Sequence, residues 1–378
     1  MNNETFCSSL WNHQMIDPTG KVKPCCRFVW DQNMPKQSLE TKTIEEIFYS
    51  DYMDTLRKDS LAGKKIAGCE RCYQEQDAGK KSLRQRMNDN NATNKYSITN
   101  PKINYLELAI SNDCNLMCRM CSSRFSHKLY DDEIEFYGKA DITNKKTRSN
   151  IDAAYKFIDS LSYIKFTGGE PLMIKEHWDL LEKAVNENYA KNITLNYSTN
   201  CTILPKDKQI KLWKNFKKIE LALSLDSINT AENQYQRHLT NQSIVLNNID
   251  IFVDLANSVL KNLVILSRPT ITIYNIYNTP ETLDYLLSKN INANPTHLTH
   301  PEFQSITVLP KKLKDIVKNK FNNYQHTSDK NKQSCDYLLN YMYSKDNSEL
   351  YEEFLNYTYF LDKRRNQSFT ETYPYFDF

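Results

Sequence analysis

The chain has 378 residues, with 49 Lys+Arg against 46 Asp+Glu and a formal net charge of +3. That length allows one large domain plus a smaller module around a sizeable core. The near-balanced charge gives no case for a nucleic-acid or membrane-surface protein, and the apolar runs are too short to cross a bilayer. The first residues lack a basic region followed by an apolar stretch, so no secretion signal is visible. The 10 cysteines therefore point to metal ligands in a reducing cytosol, not to a disulfide framework.

The cysteines are grouped. Cys7, Cys25, Cys26, Cys69 and Cys72 fall in the first 75 residues, Cys114, Cys118 and Cys121 follow, and Cys201 and Cys335 stand alone. Residues 1–87 are expected to form a small cysteine-rich module, and the Asn-rich segment 88–102 a linker. From there the pattern alternates. A strand is predicted over 103–110, with Leu106, Leu108 and Ile110 on one face, and a short strand over 163–167 that ends in two glycines. A helix over 174–188, a strand over 192–198, a helix over 207–216 and a strand over 218–225 come next. A helix over 243–257, a strand over 263–274 broken at Pro269, and a helix over 281–288 continue the series. A sixth strand near 296–308 closes it at residue 310, and 311–378 is expected to be a helical extension without chemistry. Repeating βα units of this length imply an α/β fold, a parallel sheet closed or partly closed into a (β/α)6 TIM-like barrel. Ligands in such barrels bind at the carboxyl ends of the strands.

Cys114, Cys118 and Cys121 form C-x3-C-x2-C just past the end of the first of these strands. Three thiolates so close can hold three corners of a cubane iron–sulfur cluster and leave the fourth iron open for chemistry. The alternative is a zinc site, for which His127 is the nearby fourth ligand. A second motif, Thr167-Gly168-Gly169-Glu170-Pro171, ends the next strand. Two glycines let backbone approach a ligand closely, and a carboxylate there can accept from an amino group.

With these two motifs in this order, the sequence resembles the radical S-adenosylmethionine (radical SAM) enzymes. The resemblance implies a [4Fe–4S] cluster on Cys114, Cys118 and Cys121, and SAM bound beside Gly168, Gly169, Glu170 and Pro171. It further implies SAM contacts from Ser198, Thr199 and Asn200, from Ser224 ahead of Asp226, from Arg237 towards the methionyl carboxylate, and from Asn275 near adenine. Each of these also reads as an ordinary strand-end polar group or cap. The residue before the third cysteine is usually aromatic in the family, and here Met120 takes that place with a thioether that can pack on adenine. Cys7, Gly20, Cys25, Cys69 and Cys72 resemble the SPASM auxiliary-cluster module in its shortened twitch form, placed ahead of the barrel instead of after it. Four thiolates would close an auxiliary [4Fe–4S] cluster, although they suit tetrahedral zinc as well. Cys26 reads as a spare beside Cys25, and Cys201 and Cys335 as buried free cysteines.

The function so implied is reductive cleavage of SAM to a 5′-deoxyadenosyl radical that takes hydrogen from a substrate, a peptide or protein or a small alcohol. The auxiliary cluster would relay an electron, and flavodoxin or ferredoxin would be the reductant. The alternatives are a scaffold with two structural metal sites, or an RNA-modifying enzyme on the same barrel, which the charge balance and the lack of an RNA-binding module disfavour. The basic run Lys363-Arg364-Arg365 reads as solvated surface.

Overall fold

The computed structural model describes residues 4–30, 34–35, 37–77, 79, 81–89, 96–147 and 150–376. Of the linker expected at 88–102, residues 90–95 lie outside them, and just before them Leu83–Asp89 is helical. The strands are β1 His13–Ile16, β2 Val22–Lys23, β3 Tyr105–Ala109, β4 Met117–Cys118, β5 Tyr163–Thr167 and β6 Thr194–Thr199. They continue with β7 Lys218–Leu223, β8 Arg237–His238, β9 Leu263–Ser267, β10 Thr270–Ile271, β11 Asn292–Ala293 and β12 Thr296–His297. The chain divides into two compact units, and the division runs through β6 and β7.

The first unit is Met1–Asp113, Lys146–Tyr197 and Pro205–Glu220. Its strands run in the order β7-β6-β5-β3-β1-β2. The pairings from β6 through β5 and β3 to β1 are parallel, and β2 returns antiparallel on β1. The β1–β2 turn is where Gly20 is needed, at φ +79°, while Asp17 Oδ1 accepts from the backbone N–H of Thr19 (2.8 Å) and Lys21 (3.0 Å). Sequence patterning did not reveal β1: four residues carry too little alternation to stand out, yet β1 adds directly to the sheet, with His13 opposite Tyr105 and Met15 opposite Glu107.

Alternation sorts the sheet's side chains onto two faces. Leu106, Leu108, Ile164, Phe166, Leu195, Tyr197 and Ile219 are fully buried. Against this face lie helices Lys175–Asn186 and Asp207–Trp213, with Trp178 and Trp213 5.7 Å apart and Trp213 5.4 Å from Tyr197. The other face carries Glu107, Tyr163, Lys165, Asn196, Lys218 and Glu220. A second core, around Phe6, Leu10, Trp11, Phe28, Met53, Leu56 and Ile66, carries the cysteine-rich segment, with Cys25 and Cys69 packed against it.

The second unit is Cys114–Lys145, Ser198–Leu204 and Leu221–Phe378. Here the end of β7, β9 and β11 run side by side, β10 pairs parallel with β12, and β4 pairs antiparallel with β8. The fifth predicted strand breaks at Pro269, as expected, into β9 and β10. The sixth does not form over 296–308. Pro295 and Pro301 lack the N–H that a ladder needs, so β11 and β12 stop at two residues each and 3-10 turns fill Glu302–Gln304 and Ile306–Val308. The predicted C-terminal helices are Lys311–Asn323, Asp329–Tyr343 and Tyr351–Arg365.

Trp213 is fully buried at the centre of the apolar layer. Trp213→Ala is expected to destabilise the protein by about 3–5 kcal/mol through the lost burial and the cavity left behind, to be measured by chemical denaturation.

Candidate active site

Cys114, Cys118 and Cys121 occupy a loop of the second unit whose geometry is over-determined. The backbone N–H of Leu116 points at Cys114 Sγ (3.5 Å), with the Asn200 amide 4.0 Å from the same sulfur. Asn200 also donates to Asn115 Oδ1 (2.8 Å). Cys118 lies on β4 directly opposite Arg237 on β8, and Arg237 Nη1 is 3.7 Å from Cys118 Sγ. The Cys121 N–H donates to the Cys118 carbonyl (3.1 Å), closing the last turn. Burial pushes the Cys118 and Cys121 thiols up, and for Cys121 the neighbouring Cys118 and Cys114 push in the same direction. Buried thiols of this kind keep their protons until a metal takes the protons' place.

Two buried arginines fix this loop. Arg119 is fully buried, its guanidinium 3.6 Å from the centroid of the Tyr235 ring and bonded to Asp362 (2.5 Å) and to the Thr358 carbonyl (3.3 Å). Gln304 donates to the Arg119 carbonyl (2.9 Å). Arg365 donates to the Met117 carbonyl (2.9 Å) and pairs with Asp132, and Arg364 pairs with Asp132 and Glu135. The run Lys363-Arg364-Arg365 is therefore not simply solvated surface: the Arg365 side chain is only 3 % exposed. Sequence spacing gave no sign of this, because Arg119 and Asp362 meet across most of the chain.

In the first unit, β5 leads into Gly168 at φ +105°. A Cβ on Gly168 would lie 2.8 Å from the Ser111 carbonyl oxygen, and one on Gly169 only 1.8 Å from that of Asp113. Close backbone contact is the reason for both glycines. The N–H of Gly169 donates to Ser111 O (2.9 Å) and that of Glu170 to Asp113 O (2.8 Å), which fixes the segment running into Cys114. Glu170 is buried, its carboxylate accepts from the N–H of Leu172 (3.2 Å), and Pro171 opens a 3-10 turn.

The N-terminal thiols are also gathered. Burial is the main cause that pushes Cys25 well above its ordinary range, with Cys26, Cys69, Cys7 and Cys72 adding to it in that order. Cys7 is pushed up to about 11, chiefly by burial, with Cys72 contributing. Cys69 is raised by burial and then by Cys7 and Cys72. The Cys7 N–H donates to Ser60 Oγ (3.3 Å), and Val29 N donates to Gly68 O (3.0 Å), which ties the Cys25 and Cys69 segments together. Cys26 is more than a spare: its thiol, a weak donor, engages the buried carboxylate of Glu107 on β3. Among the described residues, no three His, Cys, Asp or Glu side chains stand ready to chelate one metal ion. Cys201 and Cys335 are buried, as expected, and Cys201 Sγ donates to the Thr199 carbonyl (3.6 Å).

Residues 108–287 match the model of the Radical SAM superfamily, and residues 7–73 match SPASM, an iron–sulfur cluster-binding domain. The chain thus carries a radical SAM domain with a SPASM domain ahead of it. No curated protein matches it. Among solved structures, Streptococcus suis SuiB bound to precursor peptide SuiA is 15% identical, over 78% of this chain and 54% of that one, with a TM-score of 0.39. Hexahistidine-tagged anSMEcpe with bound AdoMet is 18% identical over 58% of each chain, TM-score 0.41. SuiB bound to S-adenosylmethionine is 14% identical, over 73% of this chain and 60% of that one, TM-score 0.36. The chain spans a little over half the length of these structures.

The radical SAM domain implies a [4Fe–4S] cluster and SAM, and the SPASM domain implies auxiliary iron–sulfur. The donor sets fit: three thiols on one loop and four in the N-terminal module, all soft ligands suited to iron–sulfur. Around the radical SAM loop, the residues singled out from sequence divide. Asn200 reaches Cys114 and Arg237 reaches Cys118, while Ser198, Ser224 and Met120 are half-buried and Thr199 is buried, its carbonyl accepting from Ser224 N (2.9 Å). Asn275 is fully buried, donates to the carbonyls of Asp226 and Thr270 (2.9 Å each) and accepts from Thr272 N (2.8 Å). Those bonds make it a staple of the fold.

Arg237 also bonds fully buried Asp226 through Nε (2.7 Å). Burial disfavours its charge, but Asp226 and Cys118 outweigh that and hold the guanidinium protonated. A donor aimed at a ligand sulfur stabilises the more negative state of a cluster. Arg237→Gln is therefore expected to shift the reduction midpoint of the Cys114–Cys121 cluster to lower potential, as read by EPR-monitored redox titration. Gly169→Ala is expected to abolish iron incorporation at that loop, measured as iron per chain after reconstitution.

Proposed function

We propose that the protein is a radical SAM enzyme that cleaves S-adenosylmethionine reductively and takes a hydrogen atom from a peptide, protein or small alcohol substrate. The observation that carries this reading is the three-thiol loop, in which Cys118 and Cys114 lie close enough to act on Cys121 and a charged donor, Arg237, approaches Cys118. Cys114, Cys118 and Cys121 hold the cluster, and Gly168, Gly169 and Glu170 are the SAM-binding motif. When bound, the cluster and SAM supply one-electron cleavage of a carbon–sulfur bond and a 5′-deoxyadenosyl radical.

The chain's own part is orientation, exclusion of water and electrostatic tuning. Arg119 and Arg365 tie the loop to the C-terminal helix Tyr351–Arg365, through Asp362 and the Met117 carbonyl. Asp226 orients the Arg237 fork toward Cys118. In the N-terminal module, Cys7, Cys25, Cys69 and Cys72 would hold an auxiliary cluster, which would supply a one-electron acceptor, and flavodoxin or ferredoxin would supply reducing equivalents. Cys26, engaged with Glu107, is left outside that ligand set.

Anaerobic reconstitution followed by iron analysis and assay with SAM and dithionite tests this. About eight irons per chain and release of 5′-deoxyadenosine are expected, as two [4Fe–4S] clusters require. Cys118→Ala should remove deoxyadenosine release and about half of the iron, and Cys7→Ala with Cys25→Ala should remove the other half. Zinc retained in place of iron, with no deoxyadenosine, would establish a metal-stabilised scaffold instead.

A further inference from the structure

Elsewhere in this protein a buried guanidinium is paired with a carboxylate. Arg57 pairs with Asp54, Arg119 with Asp362, Arg237 with Asp226 and Arg365 with Asp132. Arg84, on the helix Leu83–Asp89, is 6% exposed, and among the described residues it pairs with no carboxylate. Its Nη1 donates to the Phe6 carbonyl (3.0 Å) and its Nη2 to Gln76 Oε1 (2.5 Å), both neutral acceptors. Its Nε is closed to solvent and has no acceptor among the described residues. A buried cation without a counter-charge is costly, so the side chains around Arg84 do not account for it.

What surrounds Arg84 is the N-terminal set of thiols. Phe6 precedes Cys7, and Gln76 stands one turn beyond Cys72 on the helix Glu70–Asp77. The ring of Tyr73, next to Cys72, has its centroid 5.8 Å from the guanidinium. Burial raises the Cys7, Cys69 and Cys72 thiols, and the Arg84 charge is among the groups that oppose it at all three. The backbone N–H of Arg84 also donates to the Cys72 sulfur. Asn88, on the same helix, donates to the same Phe6 carbonyl (2.8 Å) and accepts from Ser8 N (2.9 Å). The helix is therefore fastened to the Cys7 segment by a neutral side chain as well as by Arg84.

We propose that Arg84 is the charge partner of the auxiliary cluster and raises its reduction potential, which suits that cluster to accept an electron. The proposal rests on the reading of Cys7, Cys25, Cys69 and Cys72 as iron–sulfur ligands. Four thiolates around a [4Fe–4S] core leave a net negative charge, and reduction adds one more. A fixed cation nearby lowers the cost of the added electron, most strongly where water cannot screen it. The missing counter-charge of Arg84 and the surplus charge of the thiolates answer one another.

The test is an EPR-monitored redox titration of the full-length reconstituted protein in a Cys118→Ala background, where the N-terminal cluster is read alone. Arg84→Gln removes the charge and keeps an amide donor. It is expected to lower the midpoint by at least about 59 mV, a ten-fold shift in a one-electron equilibrium. Arg84→Lys keeps the charge and is expected to recover most of that shift. Asn88→Ala breaks a neutral bond to the Phe6 carbonyl and is expected to leave the midpoint in place. An unmoved midpoint in Arg84→Gln, no recovery in Arg84→Lys, or an equal shift in Asn88→Ala would overturn the proposal. If Arg84→Gln takes up no iron, Arg84→Lys decides: uptake with the parent midpoint supports the charge role, and no uptake overturns it. A parent protein without N-terminal iron would overturn the cluster reading itself and the proposal with it, whereas every other outcome arises from a loaded parent and bears on Arg84 alone.

Discussion

Everything chemical in the first unit depends on the two-residue alternation of its strands. A strand sends successive side chains to opposite faces, and here β3, β5, β6 and β7 use that rule to sort hydrocarbon from charge. Leu106, Ile164, Leu195 and Ile219 face helices that bring Trp178 and Trp213, and Glu107, Lys165, Asn196 and Glu220 face the other way. A register slip of one residue would put four charged or amide groups into the tryptophan layer and four aliphatic ones into water. The apolar layer therefore fixes the register, and the register fixes which polar groups share a row. Stability and site geometry follow from the same alternation.

Burial of thiols imposes a second constraint. Cys7, Cys25, Cys69, Cys118 and Cys121 are all raised chiefly by desolvation. Each must lose its proton to bind iron, so metal loading and pH are linked, and loading contributes folding free energy. A loop asked to hold such groups needs support that does not itself depend on metal. Arg119 and Arg365 give it, through buried bonds to Asp362, Thr358 and the Met117 carbonyl. Burying a guanidinium is expensive unless every donor is matched, which accounts for the number of partners around Arg119.

What the sequence disclosed and what it hid divide along the same physical line. The thiol triplet and the Gly168-Gly169-Glu170-Pro171 motif were legible because their chemistry is local: ligand spacing on one loop, and two glycines where a Cβ would collide with residues 111–113. The apolar strands were legible because alternation and length are local too. Arg119 with Asp362, and Arg365 with Asp132, are pairs whose partners lie more than two hundred positions away, and no periodicity connects them. Arg364 and Arg365 looked like surface for that reason. Asn275 is ambiguous in the opposite sense. A polar residue at a strand end is as suited to bonding backbone as to bonding a ligand, and here its amide is used up on Asp226, Thr270 and Thr272. The sixth strand was lost to Pro295 and Pro301, whose effect on strand length depends on which N–H groups the ladder needs.

Cys26 shows how the N-terminal module and the sheet become one structure. Cys25 and Cys26 are neighbours in sequence with opposite surroundings, Cys25 among three other cysteines and Cys26 against the Glu107 carboxylate. Glu107 is in turn held by Lys165 and lies 3.9 Å from His13 Nε2, whose ring burial keeps neutral with a pKa pushed down to about 4. His13 stacks on Tyr105 at 3.8 Å between ring centroids, next to Glu107 along the strand direction. One step along the chain thus separates a metal-binding thiol from a hydrogen-bonding one. Because β1 is part of the same sheet as β3, the segment that carries Cys25 is positioned by the register that also places Glu107 and Lys165. A change at Glu107 therefore acts on two things at once, the polar row and the seat of the Cys25–Cys26 turn, and the Cys26 thiol is the contact through which the two are coupled.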